Sequence, residues 1–393
     1  MPIVNMKDML QHAYAHKYAV GAFDVVNLDF ITGVMDAAKK TLSPVILSLA
    51  ESHFDYFDFS LLMSAVEAAA KRASVPVAIH LDHGESLESA VEAVRYGCNG
   101  VMVDASNKPL AENIKITREL VAMAHNCGIP VEGELGYVPG VEGEDAKRHP
   151  GEINYTTVDD AATYVKETSI DFLAVSIGTV HGRMQNEPNL DFLLLQHINE
   201  ELNMPLVIHG GTGLDDNQFK MLIKNGVAKI NYYTALSDVA AKKVTDNCRA
   251  SAKISFTDQV KNVAAVVSKE VERCMNLWGS SGRATEVLSH SRPWTPIEHL
   301  IIYNVEGLDD HGAKEMALKG KEILSKIPGV REVFIGDSVN ENADYRYTWL
   351  VRFCHPAVID SYREHPAHVA FADDLFRPVA GNRISIDYRK IKQ

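Results

Sequence analysis

Val77-Ala-Ile-His-Leu-Asp-His-Gly84 begins as a short apolar strand and ends in ionisable residues and a glycine. Seven other segments between Ala19 and about Tyr233 also read as short strands, several of them with polar ends, and helical spacing fills the gaps between them. The predicted strands are 20–23, 44–49, 77–81, 100–104, 130–134, 172–177, 205–209 and 228–231. This alternation predicts a parallel sheet closed into a (β/α)8 TIM barrel. An open doubly wound sheet is disfavoured because no G-x-G-x-x-G turn follows the first strand.

Ionisable residues and one asparagine cluster at the predicted strand ends. They are Asp82, His83, Asp104, Glu132, Glu134, His181, His209 and Asn231. Because these ends converge on one face of a barrel, we expect a shared pocket there. Three neutral imidazoles with an open coordination position make a catalytic zinc site, so the three histidines are the predicted ligands, with another divalent metal as the alternative to zinc. Asp104 and Glu134 form an alternative metal position, support the ligands or have a structural role, whereas His80 is interpreted as structural.

Glycines accompany two of the predicted ligands. Gly182 follows His181, and Gly210-Gly-Thr-Gly213 follows His209. Such turns expose backbone N–H groups that bind phosphate near the last strands of a barrel. Ordinary tight turns are the alternative interpretation, and the position beside the histidines favours phosphate.

A different pattern follows the barrel. Residues 236–278 are helical, 279–285 are typical of a domain end, and 286–296 is the predicted linker between domains 1–285 and 297–393. Beyond it we predict strands at 297–305, 330–337, 345–354 and 384–388, and helices at 312–327 and within 356–376. The order β-α-β-β-α-β predicts a small α+β ferredoxin-like domain.

The composition excludes several classes of partner. The 393 residues carry a net charge of −13 without a basic block, which argues against nucleic acid. An anionic substrate must therefore be held by local groups such as a metal ion or backbone N–H donors. No apolar run approaches 18 residues, and no signal peptide is recognisable, so no membrane is expected. The five scattered cysteines indicate reduced thiols and a cytoplasmic protein.

Several of these segments resemble class II fructose/tagatose-bisphosphate aldolases. Residues 77–84 are similar to the first signature of that family and Val131-Glu-Gly-Glu-Leu-Gly-Tyr-Val-Pro-Gly-Val-Glu142 to the second. Residues 177–182, 207–213 and Lys229-Ile-Asn231 complete the likeness, which covers about residues 1–284.

The resemblance implies retro-aldol cleavage of a ketose (bis)phosphate to dihydroxyacetone phosphate and an aldehyde through an enediolate. It implies zinc on His83, His181 and His209, with Asp82 exchanging the hydroxyl proton and Glu142 the proton on the enediolate carbon. Asn231 would contact the enediolate. The residues expected near phosphate or substrate are Gly182, Gly210, Gly211, Thr212, Asn231 and Thr234.

The chain departs from the family at positions that face substrate. Asp24 stands where the family usually has Asn, Ala50 where Ser is common, and Tyr233 where a small or acidic residue is usual. Pro139 replaces a Gly, and Arg183 and Gln185 lie where a Lys is often found. The substrate is therefore not necessarily fructose 1,6-bisphosphate, and an unphosphorylated or otherwise acidic ketose is the alternative.

The C-terminal region resembles the stress-responsive dimeric α/β-barrel (Dabb) domain through His299, 327–330 and 362–369. This resemblance implies pairing of two sheets, and hence a homodimer or homotetramer; a catalytic role for 365–368 is the less favoured interpretation.

Three alternatives to the aldolase function remain. They are a non-catalytic subunit of an aldolase complex, a metal-dependent hydrolase, which would need an H-x-H pair where Phe23-Asp24 stands, and a C-terminal domain that binds a small hydrophobic ligand.

Overall fold

The computed structural model describes residues 2–138, 140, 154–183, 189–250 and 254–391. The chain forms two compact units. The first contains Met1–Ala90, Cys98–Val121 and Pro130–Pro293, and the second contains Val91–Gly97, Ala122–Ile129 and Trp294–Gln393.

Eight strands form a closed barrel in chain order, and every neighbouring pair is parallel. They are β1 Val20–Asp24, β2 Val45–Ala50, β3 Val77–Gly84, β4 Gly100–Val103, β5 Val131–Leu135, β6 Phe172–Val175, β7 Leu206–Ile208 and β8 Val227–Tyr232. The predicted TIM barrel is confirmed. β3 runs three residues further than predicted, because a register shift between Leu81 and Gly84 lets it continue pairing with β4 past its polar residues.

Helices follow the strands in the order expected of βα units. They are α1 Met6–Ala15, α2 Leu28–Thr41, α3 Phe59–Lys71, α4 Leu87–Tyr96, α5 Leu110–Asn126, α6 Val158–Thr168, α7 Phe192–Leu202, α8 Asp216–Lys224, α9 Thr234–Ala250, α10 Phe256–Gln259, α11 Val263–Leu277 and α12 Ala284–His290, with a short 3-10 helix at Glu51–Tyr56. Polar caps fix several starts; Asp215, for example, forms a capping box with Gln218. The predicted linker at 286–296 begins inside α12, so its irregular part is confined to residues after His290.

Apolar residues fill the N-terminal end of the barrel. Inward-facing residues of several strands, such as Ala22, Ile46 and Ala78, share a buried cluster with Met6 and Met9 of α1. Most of these side chains carry no polar atom and need no hydrogen-bond partner. The polar residues of the predicted site lie at the opposite, C-terminal end of the barrel.

The second unit contains a four-stranded antiparallel sheet in the order β10-β11-β9-β12. Its elements are β9 Ile297–Val305, α13 Asp310–Leu324, β10 Val330–Asp337, β11 Tyr347–Phe353, α14 Val358–Glu364, α15 Pro366–Phe371, a π-helical turn at Ala372–Phe376 and β12 Ala380–Arg389. This order confirms the small α+β domain. Tyr303 and Trp349 pack against Phe376 on the helix-covered face. Among the described helices of both units, none combines the length and the apolarity needed to traverse a lipid bilayer.

Candidate metal centre

Three histidines from three segments meet at the C-terminal end of the barrel. His83 belongs to β3, and His181 and His209 follow β6 and β7. The ring centroid of His83 lies 4.7 Å from that of each other histidine, and the His181 and His209 centroids are 5.6 Å apart. One nitrogen of each ring lies within 4.8 Å of the other two. The structure therefore brings the three predicted ligands together.

Hydrogen bonds decide which nitrogen of each ring faces the centre. Nδ1 of His83 contacts Asp104 Oδ2 at 3.0 Å, and Nδ1 of His181 contacts the carbonyl of Val138 at 3.0 Å. In His209 it is Nε2 that contacts Glu132 Oε1, at 2.9 Å. Carboxylate and carbonyl oxygens only accept, so each of these nitrogens carries the proton and donates it. The nitrogens left for the centre are Nε2 of His83, Nε2 of His181 and Nδ1 of His209.

The backbone at His83 takes a conformation that residues other than glycine rarely adopt. Its φ is 45°, and it lies within the register shift between Leu81 and Gly84. A left-handed backbone costs a residue with a Cβ roughly 1–2 kcal/mol. Strain of this kind concentrates at functional sites, where the surrounding structure maintains it.

Buried charges dominate the electrostatics of the cluster. Burial disfavours the charged imidazoles, but Asp82 and Asp104 hold the pKa of His83 well above its ordinary value. Burial is likewise outweighed at His209, where Glu134 and Glu132 raise the pKa to about 9. For His181, burial and the positive charges of the other two rings lower the pKa to about 3. The carboxylates thus stabilise positive charge at the centre.

Asp82 lies beside the histidines and is held by Asn231. The side-chain nitrogen of Asn231 is 2.9 Å from each carboxylate oxygen of Asp82. Burial raises the pKa of Asp82, but positive charge on His83 and His209 outweighs it and brings the pKa below its ordinary value. Asp82 is therefore an ionised carboxylate, able to accept a proton.

Lys229 was not among the predicted site residues, and Glu132 was predicted only as a strand-end residue without a role. Lys229 and Glu132 are both fully buried and ion-paired at 2.7 Å. Lys229 and Asn231 are two residues apart on β8 and so share a face, which was the available signal for an inward Lys229 side chain. His80, interpreted as structural, is fully buried with Nε2 3.6 Å from Glu132.

The predicted phosphate-binding residues surround the loops after β6, β7 and β8. Gly182 and Gly210 have φ of 82° and 71°, and a Cβ on Gly210 would overlap the carbonyl oxygen of Val180. Gly211 lies against β8, where its added Cβ would be 3.3 Å from the carbonyl oxygen of Asn231. Thr212 Oγ1 accepts from the backbone of Ala235 at 3.2 Å, beside the buried Thr234. Their roles stay predictions.

The alternative metal position is also assembled, since donor atoms of His83, Asp104 and Glu134 lie within 4.8 Å of one another. It stays a prediction beside the three-histidine site. Glu142 lies outside the described residues, as do Pro139 and Gln185.

The other departures from the family pattern lie at strand ends. Asp24 ends β1 and Ala50 ends β2, and both are buried. Tyr233 follows β8 and packs on the His53 ring at a centroid distance of 4.5 Å. Arg183 Nε donates to Asp238 Oδ1 at 3.0 Å.

Comparisons with known proteins agree with the fold. A family model described as fructose-bisphosphate aldolase class-II matches residues 4–283, and one described as stress responsive A/B barrel domain matches residues 297–390. The fructose-bisphosphate aldolase of Geobacillus stearothermophilus is 37% identical over 296 residues, covering 73% of this chain and 100% of the relative. The 6-phospho-5-dehydro-2-deoxy-D-gluconate aldolase of Bacillus licheniformis is 35% identical over 288 residues, covering 72% of this chain and 97% of the relative. Among solved structures, the YdjI aldolase from Escherichia coli K12 is similar with a TM-score of 0.65 and 34% identity over 72% of this chain and 99% of that one.

Proposed function

We propose, because the chain belongs to the class II fructose-bisphosphate aldolase family, that its barrel is a zinc-dependent aldolase that cleaves a ketose phosphate to dihydroxyacetone phosphate and an aldehyde. The observation that carries the proposal is the convergence of three imidazole nitrogens beside the ionised Asp82. A non-catalytic subunit would have no need to keep both features.

The donor set fits a zinc ion. Nε2 of His181 is buried and has no hydrogen-bond partner among the described residues, as expected of a nitrogen reserved for a metal. His83 Nε2 and His209 Nδ1 are 3.0 Å apart, close to the separation of about 3.3 Å for two nitrogens bonded at about 2.05 Å to one tetrahedral ion. Asp104 and Glu132 orient two of the rings from behind, as oxygen acceptors do at zinc sites.

The chain supplies the proton transfers around this ion. When bound, zinc supplies a Lewis acid that stabilises negative charge on the carbonyl end of the substrate. Asp82 accepts the proton of the hydroxyl whose carbon becomes the aldehyde. The carbon–carbon bond then breaks, and its electron pair passes to the carbonyl fragment, which becomes the enediolate. Asn231 holds both oxygens of Asp82, and the family resemblance assigns it a contact with the enediolate as well. The family resemblance assigns the second proton transfer, to carbon, to Glu142.

The phosphate of the substrate is proposed to bind the backbone N–H groups around Gly182, Gly210 and Gly211, with Thr212 and Thr234 beside them. The positive φ of two of these glycines supports this assignment, since successive N–H groups in such conformations form anion-binding nests. The net charge of −13 makes capture by the overall field unfavourable, so local donors must hold the anion.

Metal analysis with two variants tests the centre. We expect about one zinc per chain in the wild type, loss of zinc in His83→Ala, and retained zinc with a loss of rate of at least about 100-fold in Asp82→Ala. Metal content is measured by mass spectrometry and rate by release of dihydroxyacetone phosphate. Zinc retained at wild-type level in His83→Ala would contradict the ligand assignment.

A substrate panel tests the reaction. It contains fructose 1,6-bisphosphate, tagatose 1,6-bisphosphate, a ketose 1-phosphate, an unphosphorylated ketose and 6-phospho-5-dehydro-2-deoxy-D-gluconate, the last taken from the name of a relative. Turnover of a phosphorylated ketose supports the proposal. Turnover of the unphosphorylated ketose alone would replace it with the alternative substrate class, and no turnover by the zinc-loaded protein would refute the aldolase activity.

The second unit is proposed to pair with a second copy of itself. One face of its sheet is apolar and exposed, with Phe334 51%, Ile384 40% and Ile386 41% accessible. The strand registers place Leu300 and Leu350 in the same row as Phe334 and Ile386. A patch of this kind marks an interaction surface, and the Dabb resemblance supports self-pairing as its use.

Sedimentation equilibrium tests the pairing. We expect the wild type at twice the chain mass of 43.4 kDa or at a higher multiple, and a decrease in assembly for Ile386→Arg. Ser385→Arg is the matched control, because adjacent strand residues face opposite sides. Equal masses for the two variants would contradict an interface on this face.

A further inference from the structure

An unbroken chain of buried hydrogen bonds runs beneath the histidine cluster. Glu132 Oε1 accepts from His209 at 2.9 Å and from Lys229 at 3.0 Å. Lys229 Nζ also donates to Asn231 Oδ1 at 2.7 Å, and Asn231 donates to Asp82. The side chains of Lys229 and Glu132 are fully buried. One ion pair therefore connects a predicted metal ligand with the predicted base.

The Lys229 ammonium dictates how the Asn231 amide is oriented. An ammonium group has three donors and no acceptor, so the atom of Asn231 that faces it must be the carbonyl oxygen. The amide nitrogen then necessarily faces Asp82, and it lies 2.9 Å from both carboxylate oxygens. Without the ammonium, the amide is free to turn its oxygen toward Asp82, where two acceptors would repel each other.

Glu132, the ion-pair partner of Lys229, orients the ring of His209. It accepts from Nε2 of His209 and so leaves Nδ1 facing the centre. The Lys229 ammonium lies 2.7 Å from the same carboxylate, and both side chains are fully buried. The carboxylate that selects the tautomer of His209 is thus paired with a buried cation.

Stability alone does not explain this pair. Replacing a buried ion pair by apolar residues of similar size is often neutral or stabilising, because removing two charges from water costs much of the energy that their attraction supplies. A second metal ion does not explain it either. Donors of His80, Asp82 and Glu132 do lie within 4.8 Å of one another, but the Lys229 ammonium at 2.7 Å from Glu132 already supplies the cation.

We propose that Lys229 is a positioning residue of the aldol reaction, which orients the base Asp82 through Asn231 and, through Glu132, the ligand His209. The expected effect on the rate rests on the proposed function, whereas the expected effect on the orientation of the Asn231 amide rests on these contacts alone. Its side chain is fully buried, so Lys229 acts through these neighbours.

The double variant Glu132→Gln/Lys229→Met isolates the effect on Asn231. It removes both charges together, so no lone charge is buried, and the amide carbonyl introduced at position 132 can still accept from His209. We expect kcat to fall at least about 10-fold, since small misplacements of reacting groups cost rates of this order, with KM changed less than about 2-fold. In the cobalt-substituted protein, the visible absorption spectrum should match that of the wild type, because the three ligands are unchanged.

Tyr18→Phe is the matched control. It removes a buried hydrogen bond to His12, 3.0 Å long, at the N-terminal end of the barrel. Both variants should lower the unfolding temperature, but only the double variant should lower kcat per bound metal. A double variant with wild-type kcat per bound metal would overturn the proposal.

A measurement independent of turnover keeps this outcome separate from failure of the proposed function. In protein labelled with [15N]asparagine, the side-chain signal of Asn231 is the one missing from Asn231→Asp. We expect it to shift in the double variant and to stay in place in Tyr18→Phe. An unchanged signal would overturn the positioning role even if the wild type cleaved no ketose, whereas an inactive wild type with a shifted signal would refute only the aldolase activity.

Discussion

Removal of the Asp104 carboxylate should weaken zinc binding without removing a ligand of the three-histidine site. Asp104 Oδ2 holds Nδ1 of His83 at 3.0 Å and so fixes the ring with Nε2 toward the centre. Outer hydrogen bonds of this type typically change metal affinity 10–100-fold. The Asp104 side chain is 30% exposed, so water can partly replace it, and the lower part of the range applies. We expect Asp104→Ala to raise the zinc dissociation constant about 10- to 30-fold, or about 1.4–2 kcal/mol.

Competition between the metal-free protein and a chromophoric chelator measures this change. Asp104→Asn should fall between Ala and wild type, because an amide oxygen still accepts from the imidazole. Asp171→Asn is the control, since it removes a buried carboxylate that accepts from the backbone of Val131 at the N-terminal end of the barrel. Wild-type zinc affinity in Asp104→Ala would refute the orienting role. A loss beyond about 10,000-fold would instead identify Asp104 as a direct ligand.

Three further changes test other parts of the molecule. Gly210→Ala should destabilise the protein by at least about 1–2 kcal/mol in urea unfolding, because φ is 71° and the new Cβ would overlap the carbonyl of Val180; unchanged stability would contradict this geometry. Burial raises the pKa of Asp8, but its hydrogen bonds to Arg292 outweigh burial and hold the pKa below 3.8. The ionised form therefore stabilises the fold above pH 3.8, so Asp8→Asn should lower the free energy of unfolding by about 1 kcal/mol at pH 7. The difference in unfolding free energy between the variant and the wild type should vanish as the pH falls through the pKa of Asp8 in the folded protein. A difference that does not depend on pH would contradict this role of Asp8. Trp349→Ala should cost about 3–5 kcal/mol in the second unit, because the side chain is only 2% exposed, and thermal unfolding followed by circular dichroism would detect a second transition at lower temperature.

The barrel could be predicted from the sequence because each strand has its own local signals. Apolar runs, prolines and glycines before strands, and polar residues after them recur along the chain, and the closed sheet follows that order. The second unit was also predicted, and two of its strands, Ile297–Val305 and Val330–Asp337, begin and end at the predicted residues. The position of Asp82 and Asn231 at the ends of predicted strands also indicated that they lie near the histidines.

The internal organisation of the site could not be predicted, because it depends on contacts between distant strands. The sequence places Lys229 on the same face as Asn231, but its partner, Glu132 at 2.7 Å, is known only from the closed barrel. The tautomers of the histidines depend on the carbonyl of Val138 and on two carboxylates far away in sequence. The extension of β3 beyond Leu81 arises from a register shift, for which hydrophobic pattern carries no signal.

The irregular end of β3 has a consequence for how this chain can change over generations. In a regular strand, Asp82 and His83 would face opposite sides, so a base and a metal ligand could not be consecutive residues of one pocket. The shifted register and left-handed backbone remove that restriction. Deletion or insertion of a single residue between Leu81 and Gly84 would therefore separate the two functions at once, so this turn should tolerate substitutions far better than changes in length.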